Sequence, residues 1–235
     1  MLEDHKDREL MKTVILLSGG IDSNTLLHEC VQLHGKENVR ALTFDYGQRA
    51  RKELSFAYLN ATKLGVPLKQ VDLVSLGQIL SSSLTGSVAV PEGADKKNTV
   101  PNRNMILLSI GMGHAIALGF HYVAYAAHKG GFDKDTHPEF IAAMDKVAHL
   151  CDWKPLSVYC PYIEVSKAGI VKKGHALGMD YSQTWSCYLG QDRHCGRCGA
   201  CCDRIRAFKE AGVADRTSYV DPYYALTYET EKESP

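Results

Sequence analysis

Short apolar runs alternate with longer stretches of helical periodicity along most of this chain. Residues 13–17 (TVILL) form an unbroken, β-branched apolar run, which is the pattern of a strand covered on both faces. A glycine turn follows, and residues 22–33 then set Leu26, Leu27, Cys30 and Val31 at helical spacing. The pattern predicts a second strand at 39–45 (VRALTFD), its following helix at 50–64 and a third strand at 69–74 (KQVDLV). Residues 102–118 predict a helix weakened by Gly111 and Gly113, whose missing side chains allow close packing. A strand at 122–127 (YVAYAA) and a helix at 138–150, with Pro138 in its first turn, come next. Another helix covers 166–177, opened by Ser166 and closed by Gly178. Strand alternating with helix predicts an α/β fold, a Rossmann-like parallel sheet flanked by helices.

Residues 81–99 (SSSLTGSVAVPEGADKKNT) interrupt this rhythm with a polar stretch too long for a simple connection, and they predict a loop that orders over a ligand as a lid. At 235 residues the chain is long enough for a full core. The expected division is a main domain at 1–180 and a smaller helical, metal-binding region at 181–235 whose last residues fray. Lys+Arg and Asp+Glu balance at 27 each, so no overall field favours nucleic acid or a membrane surface. No stretch reaches the roughly 20 apolar residues that span a bilayer. The charged start MLEDHKDRELMK lacks the apolar core of a secretory signal, which makes the cytoplasm the expected compartment.

The reducing cytoplasm gives the eight cysteines their meaning. Cys195, Cys198 and Cys201 follow one another at C-x2-C-x2-C spacing, with Cys187 eight residues upstream. Four thiolates gathered by tight turns suit a closed tetrahedral Zn²⁺ site, with Gly196 and Gly199 easing the turns and Arg193, Arg197 and Arg204 offsetting the charge. An iron–sulfur cluster and a redox-active CxxC pair are the alternatives. Cys202 is left as a spare, and His194 is a weaker candidate ligand. Cys30, Cys151 and Cys160 read as small buried hydrophobes.

The segment Ser18-Gly19-Gly20-Ile21-Asp22-Ser23 lies between the first strand and the first helix. Glycines let a backbone approach an anion, and a helix N-terminus directs free N–H groups and a positive dipole end at the same point. Ser18 and Ser23 add hydroxyls. Asp22 is an acid beside a phosphate cradle, so it either caps the helix or helps to hold Mg²⁺. No Lys follows at P-loop spacing, and the glycines do not form the dinucleotide GxGxxG.

SGGxDS at the end of a first strand resembles the loop of the N-type ATP pyrophosphatases, or PP-loop enzymes, which have the adenine nucleotide α-hydrolase-like fold. Over nearly its whole length the chain resembles the 7-cyano-7-deazaguanine synthase family of queuosine biosynthesis. The resemblance rests on SGGIDS, FDYGQR at 44–49, VPNRN at 100–104, Ser166-Lys167-Ala168, and TWSCYLG with HCGRCGACCDR between 184 and 204. It implies that ATP adenylates 7-carboxy-7-deazaguanine and ammonia displaces AMP to give an amide, which a second adenylation converts to the nitrile. The implied requirements are ATP, Mg²⁺ and Zn²⁺, in a homodimer that binds no nucleic acid. Within this reading Lys167 is the cation for the leaving pyrophosphate, and Arg103 holds phosphate or carboxylate. Tyr46, Gln48 and Arg49 lie near the nucleotide, past the carboxyl end of the second strand. Two departures bear on the substrate. Thr136-His137 stands where the family carries Cys-Arg, and Asn102 stands where glycine is usual. They leave room for a ligase that stops at the amide or joins the deazaguanine to an amine of a protein partner. A non-catalytic ATP sensor is the remaining reading, and the intact loop, Lys167 and Arg103 speak against it.

Overall fold

A computed structural model describes residues 10–86, 88–131 and 133–227. The charged lead-in at 1–9 and the expected frayed tail at 228–235 lie outside them. Five parallel strands form one sheet in the order β3-β2-β1-β4-β5. They are β1 (Thr13–Leu16), β2 (Val39–Asp45), β3 (Leu68–Asp72), β4 (Tyr122–Ala124) and β5 (Ser157–Tyr159). Seven α-helices accompany them: α1 (Ile21–His34), α2 (Lys52–Leu64), α3 (Val74–Ile79), α4 (Arg103–Leu118), α5 (Pro138–Leu150), α6 (Lys167–Ala176) and α7 (Gly199–Ala211).

The period-two alternation of the central strands divides the core into two layers. Ile15, Leu17, Ala41 and Ala124 face one side and pack with residues of α1, α2, α6 and α7. Val14, Leu16, Leu42, Phe44 and Val123 face the other side and pack with α4 and α5. A strand buried on both faces has no polar positions, which is why 13–17 reads as an unbroken apolar run. Gly111 of α4 confirms the close-packing expectation, because a Cβ there would lie 2.8 Å from Leu16 Cδ2. Gly113 has nothing within 4 Å and does not share that reason. Ala207 and Phe208 of α7 belong to the same core layer as α1 and α6.

Two elements escaped the sequence pattern. Strand β5 is three residues long and half-buried throughout, so it carries no periodicity. It pairs with β4, and Val158 N–H also donates to Asp145 Oδ1 of α5 at 2.8 Å. Helix α3 begins inside the stretch read as the end of the third strand. Asp72 Oδ1 accepts from Val74 N–H at 3.0 Å and turns the chain out of the sheet.

The loop at 81–99 is anchored rather than free. Ser83 N–H donates to the Lys97 carbonyl at 2.9 Å, and Arg49 Nε donates to the Gly86 carbonyl at 2.9 Å. Gly93 N–H donates to the Arg197 carbonyl at 2.9 Å and forms a bridge with Cys198, which ties the loop to the cysteine region.

Candidate active site and cysteine cluster

The chain leaves β1 towards β2 on one side and later returns to β4 on the other. The crevice at the carboxyl ends of β1 and β4 is therefore the topological switch point of the sheet. A cavity of about 450 Å³ opens there. Its floor comes from the ends of β1, β2 and β4, and its walls include Asp22, Glu53, Arg103, Tyr125 and Lys167.

Gly19 has a φ of +84°, and a Cβ there would collide with the carbonyl oxygen of Glu53. Conformation and space both demand glycine, so the loop is pressed against the start of α2. Gly20 occupies the N-cap position of α1 without any side-chain cap, which leaves the first-turn N–H groups turned towards the cavity mouth. Asp22 is not the cap. Its Oδ2 lies 3.3 Å from Lys167 Nζ, while its Oδ1 is buried without a hydrogen-bond partner. Ser23 Oγ receives the Ser18 N–H at 3.2 Å and lies 3.1 Å from Ser18 Oγ, so it closes the loop on itself as well as lining the cavity. Thr43 Oγ1, also in the lining, is buried without a partner. Two orphaned oxygens beside an N–H-rich turn are what a phosphate with its divalent cation would satisfy.

Lys167 reaches this point because Ser166 caps α6, its Oγ accepting from Gly169 N–H at 3.1 Å. Arg103 enters from the opposite wall at the start of α4. It has no carboxylate within ion-pair range among the described residues. Its Nη1 donates to Tyr46 Oη at 3.3 Å, and its guanidinium lies 5.7 Å from the Tyr46 ring centre. Burial pushes the phenols of Tyr46, Tyr125 and Tyr188 up, so the phenols around this cation are neutral. A partly buried guanidinium that no carboxylate pairs directly is electrostatically prepared for an anion.

Asn102, just before Arg103, has φ 57° and ψ 13° and is the only non-glycine residue with positive φ among those described. Glycine at this position in the resembled family and asparagine here answer the same left-handed requirement. Asn102→Gly should leave stability within a few tenths of a kcal/mol, whereas Asn102→Val should lose about 1–2 kcal/mol in urea unfolding.

Gln48 and Arg49 are not in the cavity lining. Gln48 is buried, and its amide is occupied in full. Its Oε1 accepts from Tyr46 N–H at 2.8 Å, and its Nε2 donates to the Phe44 carbonyl at 2.9 Å and to Glu53 Oε1 at 3.0 Å. Arg49 donates to the carbonyls of Gly86 and Val88 and secures the 81–99 loop. Both were expected beside the nucleotide, and both instead support the residues around it. Thr136 lines the cavity and donates to the Asp133 carbonyl at 2.6 Å, whereas His137 starts α5 and stays outside the lining.

Glu53 was missed in the sequence, where an acid in the first turn of a helix has an ordinary explanation in the helix dipole. Burial pushes its carboxyl up to about 7, against the Gln48 N–H and the Arg103 charge, which pull it down. The folded-state pKa therefore lies above the usual carboxylate value. The stability this group supports is complete below its unfolded pKa and is lost as the pH rises through about 7. Glu53→Gln should accordingly gain on the parent chain in urea midpoint as the pH is raised through neutrality.

The sulfurs of Cys187, Cys195, Cys198 and Cys201 lie within 4.8 Å of one another, and Cys195 Sγ to Cys201 Sγ is 3.9 Å. Four sulfurs at Zn–S distance from one ion would be about 3.8 Å apart, so the donors fit a closed tetrahedral site. Backbone N–H groups support the thiolates: Cys195 N donates to Cys187 Sγ at 3.3 Å, and Cys198 N donates to Cys195 Sγ at 3.2 Å. Hydrogen bonds with the three other cysteines hold the Cys195 thiol well below its usual range. The expected arginine compensation takes another form. Arg204 is fully buried and pairs with Asp215, Arg197 bridges Glu92 and Asp221, and Arg193 reaches the Tyr219 carbonyl. His194 Nε2 accepts from Ser186 N–H at 3.1 Å and is not among the clustered donors. Cys202 is buried outside the cluster, and Cys30 is buried as expected, but Cys160 is half-buried and Cys151 exposed.

The family described as queuosine biosynthesis protein QueC matches residues 12–212. A 7-cyano-7-deazaguanine synthase from Methanoregula boonei is 46% identical, covering 89% of this chain and 99% of that protein. Its counterpart from Ruegeria sp. is 45% identical, covering 91% and 95% respectively. Among solved structures, NMN synthetase from Francisella tularensis aligns with a TM-score of 0.53 at 13% identity, over 95% of this chain and 86% of that one. At that identity the likeness bears on the fold alone.

Proposed function

The chain belongs to the QueC family of queuosine biosynthesis proteins, and on that premise we propose that it is an ATP-dependent C–N ligase converting 7-carboxy-7-deazaguanine to 7-cyano-7-deazaguanine. The observation that carries the chemistry is Arg103, a cation that makes no direct ion pair among the described residues and faces the phosphate loop across one cavity. In this reading Arg103 receives the substrate carboxylate and the α1 N-terminus receives the phosphates of ATP. The carboxylate oxygen attacks the α-phosphorus and pyrophosphate leaves, its growing charge met by Lys167 and the loop N–H groups. Ammonia then displaces AMP, and a second adenylation on the amide oxygen lets AMP depart as the nitrile forms. Bound Mg²⁺ supplies charge neutralisation at the phosphates, and Asp22, through its orphaned Oδ1, is the residue to hold it.

We read the cysteine cluster as a Zn²⁺ staple rather than a redox pair or an iron–sulfur ligand set, a reading supported by four sulfurs within 4.8 Å of one another, close enough to share one tetrahedral ion. Residues 1–180 carry the ATP chemistry and residues 181–235 the metal region. The described residues contain no helix long and apolar enough to cross a membrane. A cytoplasmic homodimer belongs to the same proposal and rests on the family resemblance. A ligase that stops at the amide or modifies a protein amine has no specific observation in its favour. The left-handed Asn102 removes one of its two supports.

Mass spectrometry of the purified protein with Mg-ATP, 7-carboxy-7-deazaguanine and ammonium tests the reading. Nitrile together with AMP is the expected product set. Amide alone, or AMP without a small-molecule product, would overturn it.

A further inference from the structure

We propose that Glu53 is the proton acceptor that converts ammonium to ammonia inside the cavity. The inference rests on the ligase reading above and adds to it the residue that prepares the nucleophile.

Ammonia reaches a protein at neutral pH mostly as ammonium, which has no lone pair with which to attack. A site that uses it therefore needs a base placed beside the acyl carbon. Among the carboxylates lining the cavity, Asp22 pairs with Lys167 through Oδ2, Asp133 accepts from the Thr99 hydroxyl, and Asp203 of α7 is exposed to solvent at the rim. Glu53 differs. Its Oε1 is held by the Gln48 amide, which cannot flip without losing its bonds to Tyr46 N–H and the Phe44 carbonyl. Its Oε2 makes no hydrogen bond among the described residues, and the residue lines the cavity. One oxygen is fixed and the other is presented. The backbone of the same residue abuts Gly19, which sets the base next to the phosphate loop where AMP is bound and released. The groups around Glu53 are Arg103, the neutral Tyr46 phenol and Gln48, and its carboxyl lies at about 7, where a base can both accept and release a proton at neutral pH.

The step balances. One N–H bond of ammonium breaks and its proton passes to Oε2. The freed lone pair forms the C–N bond at the acyl carbon of the adenylate. The C–O bond to phosphate breaks and leaves its electron pair on AMP. The surplus proton on the new amide nitrogen goes to water.

Glu53→Gln keeps the shape and the bond to Gln48 while removing the base. Three assays separate the possibilities: ATP–pyrophosphate exchange with the carboxylate substrate and no amine, turnover with ammonium, and turnover with hydroxylamine, which is uncharged at neutral pH. We expect exchange within about twofold of the parent protein, ammonium turnover lowered about 10²–10⁴-fold, and hydroxylamine turnover little changed. Equal losses with the two amines, or loss of exchange in the variant, would overturn the assignment of Glu53. Absence of exchange in the parent protein would instead remove the ligase reading, independently of what the variant does.

Discussion

Replacing Lys167 with alanine is expected to slow pyrophosphate release from ATP about 10²–10³-fold, the usual consequence of removing one positioned charge from a transition state. The cation is held at the mouth of the phosphate loop by its place directly after the Ser166 cap and by Asp22 at 3.3 Å. It meets charge that develops only as pyrophosphate departs, so the loss should appear in kcat, with the KM for ATP changing much less. Metal content and urea midpoint should stay near those of the parent chain, because the Lys167–Asp22 pair is partly exposed and contributes little to folding. The companion variant Asp22→Ala removes the orphaned Oδ1 and should raise the Mg²⁺ concentration needed for half-maximal rate. A Lys167→Ala protein with parental kcat would leave the leaving group without its assigned cation.

Cys198→Ser should have the largest effect on the molecule as a whole. Cys198 is buried, bridges to Gly93 of the 81–99 loop and begins α7. A hydroxyl cannot replace a thiolate in a soft tetrahedral donor set, and binding free energy at structural zinc sites of this kind is folding free energy. Elemental analysis should find about one zinc per parent chain and almost none in the variant, which should also be poorly soluble. Cys202→Ser is the control. Its sulfur lies outside the cluster, near the carbonyls of Gly196 and Arg197, so zinc content should be unchanged.

Legibility in the sequence followed the strength of each local signal. The first strand was readable because burial on both faces leaves an almost wholly apolar, β-branched run, as in TVILL. The phosphate loop and the cysteine cluster were readable because close backbone approach and metal ligation restrict residue type at fixed spacing. Strand β5 was not, since it is three half-buried residues placed by pairing with β4 and by a side chain of α5 rather than by its own pattern. The same holds for Gln48 and Arg49. Position past the end of β2 suggested contact with nucleotide, yet their partners, Glu53 and the carbonyls of Gly86 and Val88, come from elsewhere in the fold. Glu53 was hidden for a related reason. Its distinction lies in desolvation and in one unpartnered oxygen, and neither leaves a mark on a sequence.

The bridge from Gly93 to Cys198 carries a consequence for how heat inactivates the protein. Ala94, Ala200 and Asp203 all border the cavity, so its roof depends on the tie between the 81–99 loop and the cysteine region, while its floor is the centre of the sheet. Warming or chelation should release the roof before the sheet melts. The catalytic half-life at a given temperature would then be shorter than the lifetime of the helical circular dichroism signal, and supplying zinc to chelated protein would lengthen the first more than the second.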